Sequence, residues 1–131
     1  MSEPGFRFIC APSALAGAPA DWAREMLEEG EVALLGDEGL EAVNAIAHQL
    51  DQTHIVLIRS EQTPALQDST VIDYAQALPL VWVAGGFSDD ARKWAQQRGP
   101  MTLLVESAAS LDDDDRRRID RFVASLGRQS E

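Results

Sequence analysis

Short apolar runs alternate with amphipathic stretches along the whole chain. The runs are Phe6-Arg7-Phe8-Ile9-Cys10, Glu31-Val32-Ala33-Leu34-Leu35, His54-Ile55-Val56-Leu57-Ile58, Leu80-Val81-Trp82-Val83-Ala84 and Met101-Thr102-Leu103-Leu104-Val105. Their length and their content of branched and aromatic residues predict five β-strands. Between them, apolar residues recur at three- and four-residue spacing, the signature of helices with one buried face. The spacing predicts helices over 21–29, with Trp22 and Met26 inward, and over 40–50, with Leu40, Val43, Ala47 and Leu50 inward. A third covers about 68–78. A fourth starts at the cap Ser88, with Asp89 and Asp90 in its first turn and Ala91, Trp94 and Ala95 inward. The last runs from about Leu111 to Leu126, with Ile119, Phe122 and Val123 as its stripe. The stretch 11–19 holds Pro12, Gly17 and Pro19 and reads as irregular, and 60–67 reads as a polar loop.

Five β-α units in succession predict an α/β fold. Its sheet is parallel, with helices on both faces and right-handed crossovers. The third run is apolar throughout, as in a strand buried on both faces. With five units in about 120 residues, the expected architecture is three-layer and flavodoxin-like, with strand order 2-1-3-4-5. The 131 residues read as one domain, structured over about 6–127. Met1 and a complete last helix read as a whole protein.

Composition narrows the partners. Lys and Arg number 11 against 22 Asp and Glu, a formal charge of −11. Phosphate backbones and anionic membranes are bound by clustered Lys and Arg, so neither nucleic acid nor a membrane surface is expected as partner. No apolar run approaches a membrane span, and the N-terminus lacks the basic region of a signal peptide. The one cysteine, Cys10, cannot form an internal disulfide or a thiolate zinc cluster. The expectation is a soluble, cytoplasmic protein.

The middle of the chain resembles a response-regulator receiver domain. Glu38-Gly39-Leu40-Glu41-Ala42-Val43 is similar to the start of that family's second helix. His54-Ile55-Val56-Leu57-Ile58 with Pro64 is similar to its third strand and following loop. Pro79-Leu80-Val81-Trp82-Val83-Ala84 resembles its fourth strand, and Leu103-Leu104-Val105-Glu106-Ser107 its fifth. The resemblance implies a pocket in which an aspartate accepts a phosphoryl group beside Mg²⁺. This sequence departs from that pocket at every chemical position. After the first strand stand Cys10, Ala11, Pro12 and Ser13, with no carboxylate. The acceptor position is Arg59 or Ser60. Ala84 replaces the Thr or Ser, Glu106 the Lys, Ser107 the Pro, and Leu103 the switch aromatic. The resemblance therefore implies a pseudo-receiver: a non-catalytic domain acting through a protein partner or as a homodimer, in signalling or assembly, with no cofactor and no metal.

A second similarity lies in Val83-Ala84-Gly85-Gly86-Phe87-Ser88 through Ala95, which resembles an element of the Mrr-type restriction-endonuclease fold. That alignment implies a degenerate site with Asn44, Leu57 and Arg59 at its functional positions, and it needs a strand through Asn44.

Other candidates have plainer readings. Arg59 could make the protein a sensor of small anionic ligands, or simply pair with Asp37, Glu38 or Glu106. Cys10 reads as a buried hydrophobe rather than a reactive thiol. His48 and His54 lack further ligands for a metal. The run Asp112 to Arg118 predicts three i,i+4 ion pairs, Asp112–Arg116, Asp113–Arg117 and Asp114–Arg118, on a capped helix. Gly85-Gly86 precedes a helix whose first-turn aspartates repel anions, and no dinucleotide or P-loop motif is present, so no nucleotide is expected. Serines 13, 60, 69 and 88 fall in no hydrolase motif. Trp94, Arg92 and Leu103 mark a candidate interface, on the face where receivers make partner contacts.

Overall fold

The computed structural model describes residues 5–51, 55–59, 61–75, 78–107 and 110–129. Its elements in chain order begin with β1 (Phe6–Cys10), α1 (Pro12–Ala16), α2 (Ala20–Glu29) and β2 (Gly30–Leu35). A 3-10 turn, Gly36–Glu38, leads into α3 (Leu40–Gln49), β3 (Val56–Ile58), α4 (Pro64–Ala75) and β4 (Leu80–Ala84). Then come α5 (Asp89–Arg98), a second 3-10 turn (Gly99–Met101), β5 (Thr102–Glu106) and α6 (Asp113–Gln129). The five strands form one parallel sheet, flanked by helices on both faces.

The strand order is β3-β2-β1-β4-β5, not the expected 2-1-3-4-5. β3 is an edge strand, and β1 sits in the middle between β2 and β4. The apolar run suggested a central strand, yet β3 has only three residues, and Leu57 within it is 46% exposed. Apolarity alone does not place a strand this short, because one apolar face is enough to hold it against the sheet.

Each face has its own core. Phe6, Phe8, Cys10, Val32, Leu34, Val81, Val83 and Val105 pack under α1, α2, α3 and α6, where Leu15, Ala23, Ile46 and Ile119 are buried. The alternate positions Ile9, Ala33, Ile58 and Trp82 pack under α4 and α5, against Val71, Ala75 and Ala91. This alternation follows from the period of two along a strand. Helix α4 is the crossover that carries the chain from the β3 edge over the sheet to β4.

Two segments expected to be irregular are helical. α1 lies inside 11–19, with Pro12 at its first position, where a missing N–H is harmless. α4 starts at Pro64 rather than near 68 and ends at Ala75. Leu40, expected inward, is 67% exposed. Trp82 is buried as expected, and Trp22 packs edge-on against Phe8 while its indole N–H donates to Asp120 on α6 at 2.8 Å. The side chain of Met26 lies outside the described residues. Residues 40–49 are helical, so the strand through Asn44 that the nuclease similarity needs is not formed.

Ser88 caps α5 as expected, its Oγ accepting from the Ala91 amide at 3.0 Å. α6 is capped reciprocally. The Asp115 amide donates to Asp112 Oδ1 at 2.8 Å, while the Asp112 amide faces Asp115 Oδ2 at 3.4 Å. That use of Asp112 explains a further difference. The arginines pair one residue closer than expected, Arg116 with Asp113 and Arg117 with Asp114.

Candidate functional site

In a doubly wound sheet, ligands gather at the carboxyl ends of the strands where the connections diverge. Here the chain leaves β1 for the α1–α2 side and β4 for the α5 side, so that point lies between β1 and β4. A cavity of about 270 Å³ opens there. Ala11, Ala14, Leu35, Val83 and Ala84 give it an apolar floor, and Ser13, Asp37, Glu38 and Ser107 give it its polar groups.

Its geometry is set by a missing cap. Ala11 precedes α1 and has no side-chain acceptor to offer the first amides. Glu38, at the end of the turn after β2, supplies it instead. Its Oε1 accepts from the Ser13 amide at 2.9 Å and its Oε2 from the Ser13 hydroxyl at 2.7 Å. The carboxylate thus occupies the spot where an incoming anion would need that same amide. The turn after β1 has no glycine to bring backbone close to a phosphate. The other end of α1 is pinned as well. The Leu111 amide donates to the Ala14 carbonyl at 3.1 Å, and the Ser110 hydroxyl to the Ser13 carbonyl at 3.1 Å. These contacts turn a Pro- and Gly-rich loop into a helix.

The expected receiver pocket comes together in part. Ser13 and Ala84 meet at this crevice, and Cys10, fully buried, directly precedes Ala11 of its lining. Burial, and secondarily the Glu38 charge, push the Cys10 thiol far above its ordinary range, so it packs as a hydrophobe. Glu106 ends β5 and pairs with Arg92 on α5, across from Ala84 in the β4–β5 register. Arg59 is not part of the cluster. It follows β3 at the sheet edge, is 80% exposed, and binds Glu61 at 2.8 Å. Its partner is therefore none of the three expected, Asp37, Glu38 and Glu106. The Arg59 guanidinium, and next the Thr70 hydroxyl, hold the Glu61 carboxyl below the usual range. Gln67 completes this local knot, donating to the Arg59 carbonyl at 3.1 Å and accepting from the Glu61 amide at 3.0 Å. Arg59 is thus paired with Glu61 and does not line the crevice between β1 and β4. Ser60 and His54 lie outside the described residues.

The candidate interface residues are also divided. Arg92 and Trp94 belong to α5. Arg92 stands 5.9 Å from the Phe87 ring centre, and Trp94 packs edge-on against Trp82 with the Arg98 guanidinium 4.7 Å from its own ring. Leu103 points to the opposite face of the sheet, against the core under α6. They do not form one patch. Among the described residues, no group of three or more His, Cys, Asp and Glu is placed to hold a metal ion. No described helix is long and apolar enough to cross a membrane.

One polar cluster escaped sequence reasoning. Arg7 on β1 and Glu31 on β2 are register partners, and their side chains approach to 3.5 Å. Tyr74 on α4 closes the group. Its hydroxyl donates to Glu31, its carbonyl accepts from Arg7, and its ring lies 4.6 Å from the Arg7 guanidinium carbon. The signal available was a charged residue near the start of each of two apolar runs. The cluster is half-buried, and although Arg7 Nε meets Glu31 only as an ion pair and has no hydrogen-bond partner, the group fits a joint between β1, β2 and α4.

Set against known protein families, characterised proteins and solved structures, the chain matches none. The fold and the crevice define a three-layer, doubly wound α/β domain.

Proposed function

We propose that the chain is a non-catalytic, receiver-like domain that acts by binding another protein, in signalling or assembly, without aspartyl phosphorylation. The absence of aspartyl phosphorylation in this reading is carried by the place of β3. Phosphoryl transfer to an aspartate needs the acceptor, the acidic pair and Mg²⁺ in one cluster. Arg59, at the acceptor position, is separated from Cys10 by the full width of β2, about 10 Å at the usual strand spacing. The order of the sheet and the missing carboxylates argue in the same direction. The crevice that remains is filled at its polar end by Glu38 on Ser13. We assign the domain surface contact with a protein partner as its activity and place it in the cytoplasm.

The test is exposure of the full chain to acetyl phosphate and Mg²⁺, followed by intact-mass measurement. The expected result is an unchanged mass. A hydroxylamine-sensitive phosphoryl adduct would overturn the reading.

A further inference from the structure

The two edges of the sheet are built differently. The Ser107 amide donates inward to Ala84 on β4 at 2.9 Å, so by strand alternation the Leu104 carbonyl points outward from β5. Arg118 from α6 reaches that carbonyl at 3.4 Å, and Arg92 and Glu106 flank the strand as an ion pair. This edge carries the charges that discourage strand addition. The β3 edge has no such cover among the described residues. Leu57, on the strand, is 46% exposed. Leu40, at the start of the preceding helix, is 67% exposed, and Leu66, at the start of the following one, is 51% exposed. These are the large hydrophobic residues left exposed among the described residues, and all three belong to β3 or the helices joined to it.

Charge is divided along the chain in a matching way. Between Gly30 and Leu78, the span of β2, α3, β3 and α4, there are eight Asp and Glu and one Lys or Arg. That one is Arg59, already paired with Glu61. Eight of the chain's 11 Lys and Arg lie from Arg92 onward. An exposed edge with leucines in an acidic setting fits an extended segment that brings backbone donors, apolar side chains and positive charge together. A second copy would bring its own acidic β3 surface against this one, and like charges there repel.

We infer that the β3 edge is a docking site for an extended segment of a partner protein with alternating apolar and Lys or Arg residues, which adds as a sixth strand. This rests on the reading of the chain as an interaction domain and names the surface and the partner's chemistry.

The test uses the full chain and two short peptides, one alternating Val and Lys and one alternating Val and Glu. Amide NMR shifts and hydrogen exchange are read together. The expected result is saturable shifts at Val56–Ile58 with gained exchange protection, for the Lys peptide only. Leu57→Lys should weaken binding at least about tenfold, with an unchanged fold because the position is half open. Arg118→Gln on the other edge should leave binding unchanged. Shifts spread over α3 and α4 without protection of β3 would show charge attraction alone and overturn the site. So would self-association through β3 in the absence of peptide. Binding that maps to α5 or β5 would overturn the site while leaving the interaction reading intact. A phosphoryl adduct in the mass assay would overturn that reading itself.

Discussion

Glu38 accepts from both the backbone amide and the hydroxyl of Ser13, so a carboxylate from the turn after β2 caps the helix that follows β1. The pair ties together two strands' exits and fills the polar end of the crevice. Replacing Glu38 by Ala removes the acceptor for an otherwise uncapped helix. The expected loss is about 1 kcal/mol, as for other helix caps. Urea unfolding of Glu38→Ala, Ser13→Ala and the double variant checks it. The double variant should lose less than the sum of the two singles.

Tyr74 is the single tyrosine of the chain. Burial first, then its hydrogen bond to Glu31, pushes the phenol above its ordinary value near 10. The folded protein therefore holds the proton that the unfolded chain releases. Stability from this group is complete below pH 10 and falls as pH rises beyond it. A spectrophotometric titration should show no tyrosinate until unfolding begins. Glu31→Gln should bring the transition down toward the ordinary value. It should also cost about 2 kcal/mol, since Arg7 is then left half-buried without its counter-charge.

Cys10 is wholly buried and its thiol is pushed far upward. A thiol reagent should label it only through global opening. The labelling rate should fall with added stabilising osmolyte and rise with urea in step with unfolding. Rapid labelling of the native chain would contradict the packing at the end of β1.

Gly30 opens β2 opposite Phe6 in the β1–β2 register. A methyl group there would overlap the buried Phe6 ring. Gly30→Ala should destabilise by about 1–3 kcal/mol. The companion Gly30→Ala, Phe6→Leu should recover part of that loss, read as midpoint shifts in urea.

Much of the fold is legible in local pattern. β1 and β4 fall on the expected residues, and α5 starts where Ser88 and its aspartates place it. Those signals are local: alternation, caps and stops. What is not local is not legible. The order of parallel strands depends on which crossover passes over which face. Val56-Leu57-Ile58 looks the same in sequence at an edge as at the centre. The same limit hid the cap on α1, because Glu38 lies 25 residues from Ser13. The partner of Arg59 is not a distant carboxylate but Glu61, two residues away, fixed by Thr70 and Gln67 of α4.

The carboxyl ends of β1 and β3 do not form one phosphoryl-accepting pocket. An amide-resolved NMR titration of the full chain with Mg²⁺, then beryllofluoride, tests it most directly. No saturable shifts are expected at Ser13, Asp37 or Arg59. Saturable shifts at all three would contradict it, because they would require a shared site that the β3-β2-β1-β4-β5 order keeps apart.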